Sequence, residues 1–251
     1  MSAVTLRFYA QLNDFLPADR RGRRFTWLVS ARASVKDTIE ALGVPHPEVD
    51  AILVNGAFED FAYRLADGDD VAVYPAFCMI DVSGLRRVGA DAPHPVRFAL
   101  DVHLAKLASF LRLAGFDAVV LEDDAELANT AARDHRVVLT RDVGVLKRGV
   151  VAHGHWVRHM DPELQLAEVL ERFDLAGRME PFARCVRCNT PVVPVEAEAV
   201  AARLLPRTRA VFRQFHRCPS CDRIYWKGSH YDRLLRLVER ARDRVSVPSR
   251  A

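Results

Sequence analysis

The sequence contains no apolar run approaching the ~20 residues that cross a bilayer, so a helical membrane span is excluded. Its opening stretch, MSAVTLRFYAQL, lacks the basic, then apolar, then small-residue order of a secretion signal. The expectation is a cytoplasmic protein. Cysteine is scarce, at five residues, and the cytosol keeps thiols reduced, so those five are not expected to form disulfides. Charge of either sign is not in large excess, since 36 Lys plus Arg face 33 Asp plus Glu for a formal +3. With 50% apolar and 27% charged residues the composition is that of a folded protein, which excludes a disordered chain. At 251 residues it can build one large or two to three small cores.

The charge that is present is unevenly placed. From Arg203 to Ala251 there are 13 Lys plus Arg and 4 Asp plus Glu, hence +9, which leaves −6 for the preceding residues of the +3 total. A basic end suggests a polyanionic partner, nucleic acid being the commonest. The plain alternative is a solvated helix, because RLLRLVERARDRV has helical spacing.

Residues 1–78 read as a small α+β unit. VTLRFY and RRFTWLV are strand-like, SVKDTIEAL is a helix with a serine placed to cap it, AILVNG ends in a turn dipeptide, and DGDDVAVYP gives a last strand. That order is the order of a β-grasp domain. Through LRFYAQL, ILVNG and LADGDDVAVYPAF the unit resembles the ThiS/MoaD-type ubiquitin-like proteins. Sulfur carriers of that type end in a free Gly-Gly, whereas here Pro75-Ala76-Phe77-Cys78 stands in that place and the chain continues. Sulfur transfer is therefore disfavoured, and a binding or positioning role is expected. Cys78 has no assigned role. DVSGLRRVGADAPHP, within residues 79–94, reads as a linker.

From residue 95 to about 178 short apolar runs alternate with amphipathic helices. VRFAL precedes HLAKLASFLRLAG, whose helix stops at Gly115; AVVL precedes AELANTAARDH; VVLT precedes VGVLKR; and HWVRHM precedes DPELQLAEVLERF. The alternation predicts βαβ units, an α/β domain with a parallel sheet. Its first three strands end in acid, at Asp101, at Glu122-Asp123-Asp124 and at Asp142. The carboxyl ends of parallel strands are where ligand sites lie. Each aspartate is also well placed to cap the next helix, at ~1 kcal/mol apiece. Taken singly, each reads as a cap. Ser, Thr or Asn would cap without charge, however, and converging carboxylates repel unless a cation sits among them. Together they suggest the hard oxygen ligands of Mg²⁺ or Mn²⁺.

RFALDVHLAKLASFLRLAGFDAVVLEDDAEL with VVLTRDVGVLKR resembles the PIN-like RNase domain first described at the C-terminus of the Mut-seven exonuclease. The resemblance implies a ubiquitin-like domain before it, a zinc ribbon after it, and metal-dependent cleavage of RNA by an acidic cluster. The positions matching that cluster are Asp101, Asp124 and Asp142, with Asp123 an alternate for the second and Asp161 a candidate fourth acid whose DPEL setting equally suits a helix start. Arg141 and Lys147 are candidate phosphate contacts, although Arg141 could pair with a neighbouring acid and Lys147 with its own helix end. Lys106 and Arg112 read as solvated. His153, His155 and His159 alternate as if along one face of a strand, and are taken as partly exposed positions rather than a metal site.

Cys185-Val-Arg-Cys188 and Cys218-Pro-Ser-Cys221, with 29 residues between them, form two CxxC knuckles. Four thiolates so paired are the ligand set of a closed, structural zinc site. AEAVAARLLP between them reads as an inserted helix. After the second knuckle Tyr225, Trp226 and Tyr231 interleave with Arg223, Lys227 and Arg233. Such residues stack on unpaired bases or fill the ribbon's core, and Trp226 with Lys227 are the candidate RNA contacts.

The expected arrangement is a β-grasp domain (1–78), linker (79–94), PIN-like nuclease domain (95–178), zinc ribbon (179–230) and basic helical tail (231–251). The expected activity is Mg²⁺- or Mn²⁺-dependent hydrolysis of single-stranded or structured RNA, with RNA, and the ribosome or tRNA, as expected partners. The alternative is a non-catalytic RNA- or ribosome-binding zinc-ribbon protein whose aspartates are caps.

Overall fold

The computed structural model describes residues 1–75, 88 and 93–246. Cys78 and nearly all of the expected linker lie outside the described residues. In chain order the elements are β1 (Ser2–Phe8), β2 (Phe25–Val29), α1 (Val35–Ala41), β3 (Val49–Val54), β4 (Ala57–Glu59), β5 (Asp70–Pro75), β6 (Arg97–Asp101), α2 (Ala105–Leu113) and β7 (Asp117–Leu121). They continue as α3 (Asp124–Arg133), β8 (Val137–Thr140), α4 (Val143–Leu146), β9 (Gly154–Trp156) and α5 (Pro162–Arg172). The last are β10 (Val193–Val195), α6 (Ala197–Val200), α7 (Pro206–Val211), β11 (Phe215–Arg217), β12 (Ile224–Tyr225) and α8 (Ser229–Ser246). No described helix is long and apolar enough to cross a membrane.

Two compact units interleave along the chain: one holds Met1–His94 and Asp123–Trp156, the other Pro95–Glu122 and Val157–Ala251. In the first, five strands form a mixed sheet in the order β2-β1-β5-β3-β4, with β1 and β5 parallel and the other pairs antiparallel. This is the β-grasp arrangement. Alternate residues Val4, Leu6 and Phe8 of β1 point inward because the side-chain period of a strand is two, and with Ile39, Ile52, Val71 and Val73 they make the core. Ser34 caps α1 through a capping box with Asp37, as SVKD foretells. Asn55 and Gly56 both have positive φ, the backbone that a tight β3–β4 hairpin needs, and this explains the turn dipeptide.

The same unit carries α3 and the parallel pair β8–β9. Several long-range contacts bind this segment to α1 and to the turn between α1 and β3. His46 Nε2 meets the Val151 carbonyl at 2.9 Å, and Lys147 Nζ donates to the Glu40 carbonyl at 2.8 Å. Glu48, fully buried, accepts the Trp156 N–H at 2.5 Å and faces His155 Nδ1 at 3.0 Å. His155 is buried rather than partly exposed, because the Glu48 carboxylate gives its ring a partner. The fourth strand is also shorter than HWVRHM suggests, and His159 lies beyond it.

The second unit holds the parallel pair β6–β7 with α2 and α5. Phe98, Leu107, Leu111, Leu166 and Leu170 form its interior. Parallel strands buried on both faces read as unbroken apolar runs, and the run Phe98-Ala99-Leu100 is fully buried. Gly115 closes α2 with φ +101, and a Cβ there would stand 2.5 Å from the Glu180 carbonyl oxygen. The chain then forms an antiparallel sheet, β10-β11-β12, and α8 packs on α5 through a face that buries Leu237, Val238 and Ala241. The basic tail is thus half a packed helix and not wholly solvated.

Candidate functional site

Among the described residues, the four cysteines are the one group of three or more metal-ligating side chains whose donor atoms lie within 4.8 Å of one another. Each knuckle is a tight turn. Cys185 N–H donates to the Thr190 carbonyl and Asn189 N–H to the Cys185 carbonyl; Cys218 and Asp222 repeat the pattern, with Cys218 N–H donating to the Arg223 carbonyl. The residue after each second cysteine, Asn189 or Asp222, has positive φ (67° and 59°). Asn and Asp are the non-glycine residues that tolerate this backbone best.

Sγ separations of 3.5 Å for Cys185–Cys221 and 3.3 Å for Cys188–Cys218 are close to the edge of about 3.8 Å that a tetrahedron with Zn–S of about 2.3 Å requires. Soft thiolates in that shape fit zinc, and Cys185, Cys188, Cys218 and Cys221 would hold it. The thiols do not share protons evenly. Burial opposes ionisation of Cys188, but hydrogen bonds with Thr190 and Cys218 outweigh it and hold its pKa at about 5. At Cys221 the Arg223 backbone favours the thiolate, yet burial and the three neighbouring sulfurs push the pKa up to about 11. Tyr225 donates its hydroxyl to Cys185 Sγ at 3.0 Å; burial and that thiol raise the phenol's pKa.

The first knuckle docks on β7 through residues whose part the sequence did not disclose. Asn189 Oδ1 accepts the Ala118 N–H at 3.1 Å, and its Nδ2 donates to Asp117 at 2.8 Å. Arg112, expected to be solvated, is half-buried instead. It donates to the carbonyls of Ala118, Val186 and Arg187 at 2.8, 3.2 and 2.9 Å, because α2 lies alongside both β7 and the knuckle. Burial lowers its pKa, and the nearby thiols oppose that shift. Lys106 does remain exposed, with its ammonium 5.0 Å from the Phe110 ring.

The aspartates occupy the helix starts that the sequence suggests. Asp101, buried at the end of β6, accepts the His103 N–H at 2.9 Å. Asp123 accepts the Glu126 N–H at 2.8 Å to cap α3, and Asp124 is that helix's first residue. Asp142 accepts the Gly144 N–H at 2.7 Å; a Cβ at residue 144 would stand 3.0 Å from that carboxylate, so glycine lets the two approach. Asp161 accepts from Glu163 and Leu164, with Pro162 opening α5. Asp101 belongs to the second unit, while Asp123, Asp124 and Asp142 belong to the first. A carboxylate offers about four lone-pair sites, so capping takes only part of its capacity and hard-cation ligation is compatible with it.

Of the candidate RNA contacts, Arg141 accepts the Trp156 indole N–H with its carbonyl at 3.1 Å, and the Lys147 ammonium lies on the Glu40 carbonyl. Trp226 is 37% exposed and tilts against Phe215, and Lys227 Nζ stands 5.9 Å from the Tyr231 ring centre.

A family model described as the Mut7-C RNAse domain matches residues 96–238, and one described as Mut7-C ubiquitin matches residues 1–81. No curated protein matches the chain. Two solved structures of small archaeal modifier protein 1 (SAMP1) from Haloferax volcanii are similar to the N-terminal part. Each is 21% identical; they cover 31% and 30% of this chain and 100% and 97% of their own, at TM-scores of 0.26 and 0.25. With a β-grasp domain ahead of a matched segment that spans more than half of its length, the chain belongs to the Mut7-C RNAse family.

Proposed function

We propose that this protein is a cytoplasmic, metal-dependent ribonuclease in which Asp101, Asp124 and Asp142, with Asp123 as the alternate second acid, hold Mg²⁺ or Mn²⁺. The family match over residues 96–238 carries the reading. Supporting it, Asp101 ends β6 and Asp142 follows β8 closely, at the carboxyl ends of parallel strands. When bound, such a cation supplies positive charge for the phosphodiester oxygens and acidifies water. The chain's own residues supply the rest. Backbone N–H donors from His103 and Gly144 fix the Asp101 and Asp142 carboxylates in place. Residues 95–178 would carry the chemistry, while the zinc ribbon (179–230) and basic tail (231–251) recruit RNA, with Arg141, Lys147, Trp226 and Lys227 as contacts. A reducing compartment suits four free thiols.

Asparagine caps a helix as well as aspartate does but carries no charge. Asp101→Asn and Asp142→Asn should therefore keep their folds and zinc yet lose Mn²⁺-dependent cleavage of mixed RNA. The loss should reach at least the roughly 10–100-fold that even an outer-shell partner of a metal costs. Zinc content is followed in parallel, since a chelator would also strip the ribbon. One observation favours a second reading, the non-catalytic RNA binder: Asp101, Asp123, Asp142 and Asp161 all accept helix-start N–H groups. That reading predicts no cleavage by the unaltered protein and unchanged RNA binding in both variants.

A further inference from the structure

We infer that the zinc ribbon carries a nucleotide subsite of its own, where an unpaired base of single-stranded RNA enters an aromatic cleft and the adjoining phosphate lies on arginines, with Trp226 as the wall between them. The inference rests on the RNA-directed reading above and specifies which form of RNA is gripped.

Two adjoining clefts share that tryptophan. One, of about 520 Å³, is lined by aromatic residues Phe182, Tyr225, Trp226 and Tyr231, together with His216 and Lys227. The other, of about 340 Å³, is lined by Arg187, Arg203 and Arg223, and its one acid is Asp222. That acid is already engaged by Arg203 at 2.7 Å and Arg217 at 3.4 Å, so the guanidinium charge around it exceeds the carboxylate charge. A wall of aromatic rings suits any base, because every base has a π face. A patch of arginines suits a phosphate, which guanidinium matches in shape and charge. The two clefts share a single exposed indole, so one nucleotide could offer its base to one side of Trp226 and its phosphate to the other.

The aromatic platform is built in advance of any ligand. The Phe182 ring stacks on Tyr231 with centroids 3.9 Å apart and planes 26° apart. Phe182 holds φ +67, a left-handed backbone that a bulky residue adopts only under constraint. The constraint is visible: Phe182 N–H donates to the Leu113 carbonyl and Glu180 N–H to the Ala114 carbonyl, both at 2.9 Å, which pins this turn to the end of α2. Backbone held in such a conformation gathers at ligand sites, where pre-set geometry lowers the cost of binding. Duplex RNA keeps its bases stacked and paired and could offer this cleft none. An acidic peptide could satisfy the arginines but leave the rings without a partner.

The test measures fluorescence anisotropy of a labelled oligouridylate on the full chain carrying Asp142→Asn, with no Mn²⁺ added, and compares it with an RNA duplex and with polyglutamate. The single strand should bind most tightly. Trp226→Ala and Tyr231→Ala should each weaken it about tenfold, while Trp226→Phe, which keeps a ring, should restore most of the affinity. Arg223→Ala should lower the slope of log affinity against log salt by about 0.7, one single-strand phosphate. Zinc content reports whether the ribbon is intact; if Trp226→Ala loses zinc, Tyr231→Ala decides. Wild-type affinity in a zinc-loaded Tyr231→Ala, equal binding of duplex, or equal competition by polyglutamate would each overturn the subsite. Its fate is separate from that of the nuclease: absent cleavage with the expected binding pattern ends only the catalytic reading, and cleavage with unaltered binding in the variants ends only this one.

Discussion

Glu48 shows what a single buried carboxyl group can organise. It has no exposed surface, yet one of its oxygens serves both the Trp156 N–H and the His155 ring. Removing it leaves a buried donor without its acceptor, at about 1–3 kcal/mol. Glu48→Ala should therefore destabilise the first unit by that order in chemical denaturation, whereas Glu48→Gln, which retains an acceptor for Trp156, should cost less. At this scale, what the sequence discloses depends on distance along the chain. The caps at Ser34, Asp123, Asp142 and Asp161 are legible because donor and acceptor lie two or three residues apart. The role of His155 is not, because its partner is 107 residues away and no pattern around the His153, His155 and His159 spacing points to Glu48. Arg112 and Lys147 were obscure for the same reason: their acceptors are distant backbone carbonyls, and a carbonyl carries no residue identity to recognise.

At the scale of elements, the ribbon is three short strands held by four sulfurs, and strands β10, β11 and β12 of three, three and two residues bury too little to persist alone. If the four cysteines hold zinc as proposed, its binding supplies folding energy. Protons compete with zinc for all four thiolates, so zinc should stay bound at pH 7 and be released on acidification, with loss of ribbon structure. A chromophoric chelator and circular dichroism, read together, check this; zinc retained at pH 4 with intact structure would contradict it. The CxxC spacing makes the four cysteines legible, and AEAVAARLLP between them reads as one inserted helix. Only α6 and a 3-10 turn form there, because Pro206 holds Leu205 in an extended backbone, ψ 145°, and a separate helix, α7, begins at the proline.

At the scale of the whole molecule, the order of the chain and the order of its packing differ. Periodicity correctly separates a β-grasp pattern from an alternating α/β pattern, since each is written in neighbouring residues. It carries no record of which strands and loops meet across the chain, and the first compact unit takes its two parts from either side of residues 95–122, which belong with residues 157–251 to the second. The β-grasp residues are accordingly not expected to behave as a removable module. Deleting residues 1–94 would leave Trp156 N–H without Glu48, Val151 without the His46 ring, and the Lys147 ammonium without the Glu40 carbonyl. A buried donor left without its acceptor costs about 1–3 kcal/mol, so the Trp156 amide should exchange with deuterium roughly 5- to 150-fold faster in the shortened chain. Exchange across β8, which pairs with β9 in the same segment, should rise with it. The same acceleration, smaller in extent, should follow Glu48→Ala in the full chain, where residues 1–94 remain but their buried carboxylate is gone. If both proteins kept the exchange pattern of the original, the β8–β9 segment would be stable by its own packing, and the role of the N-terminal domain would have to be sought in binding instead.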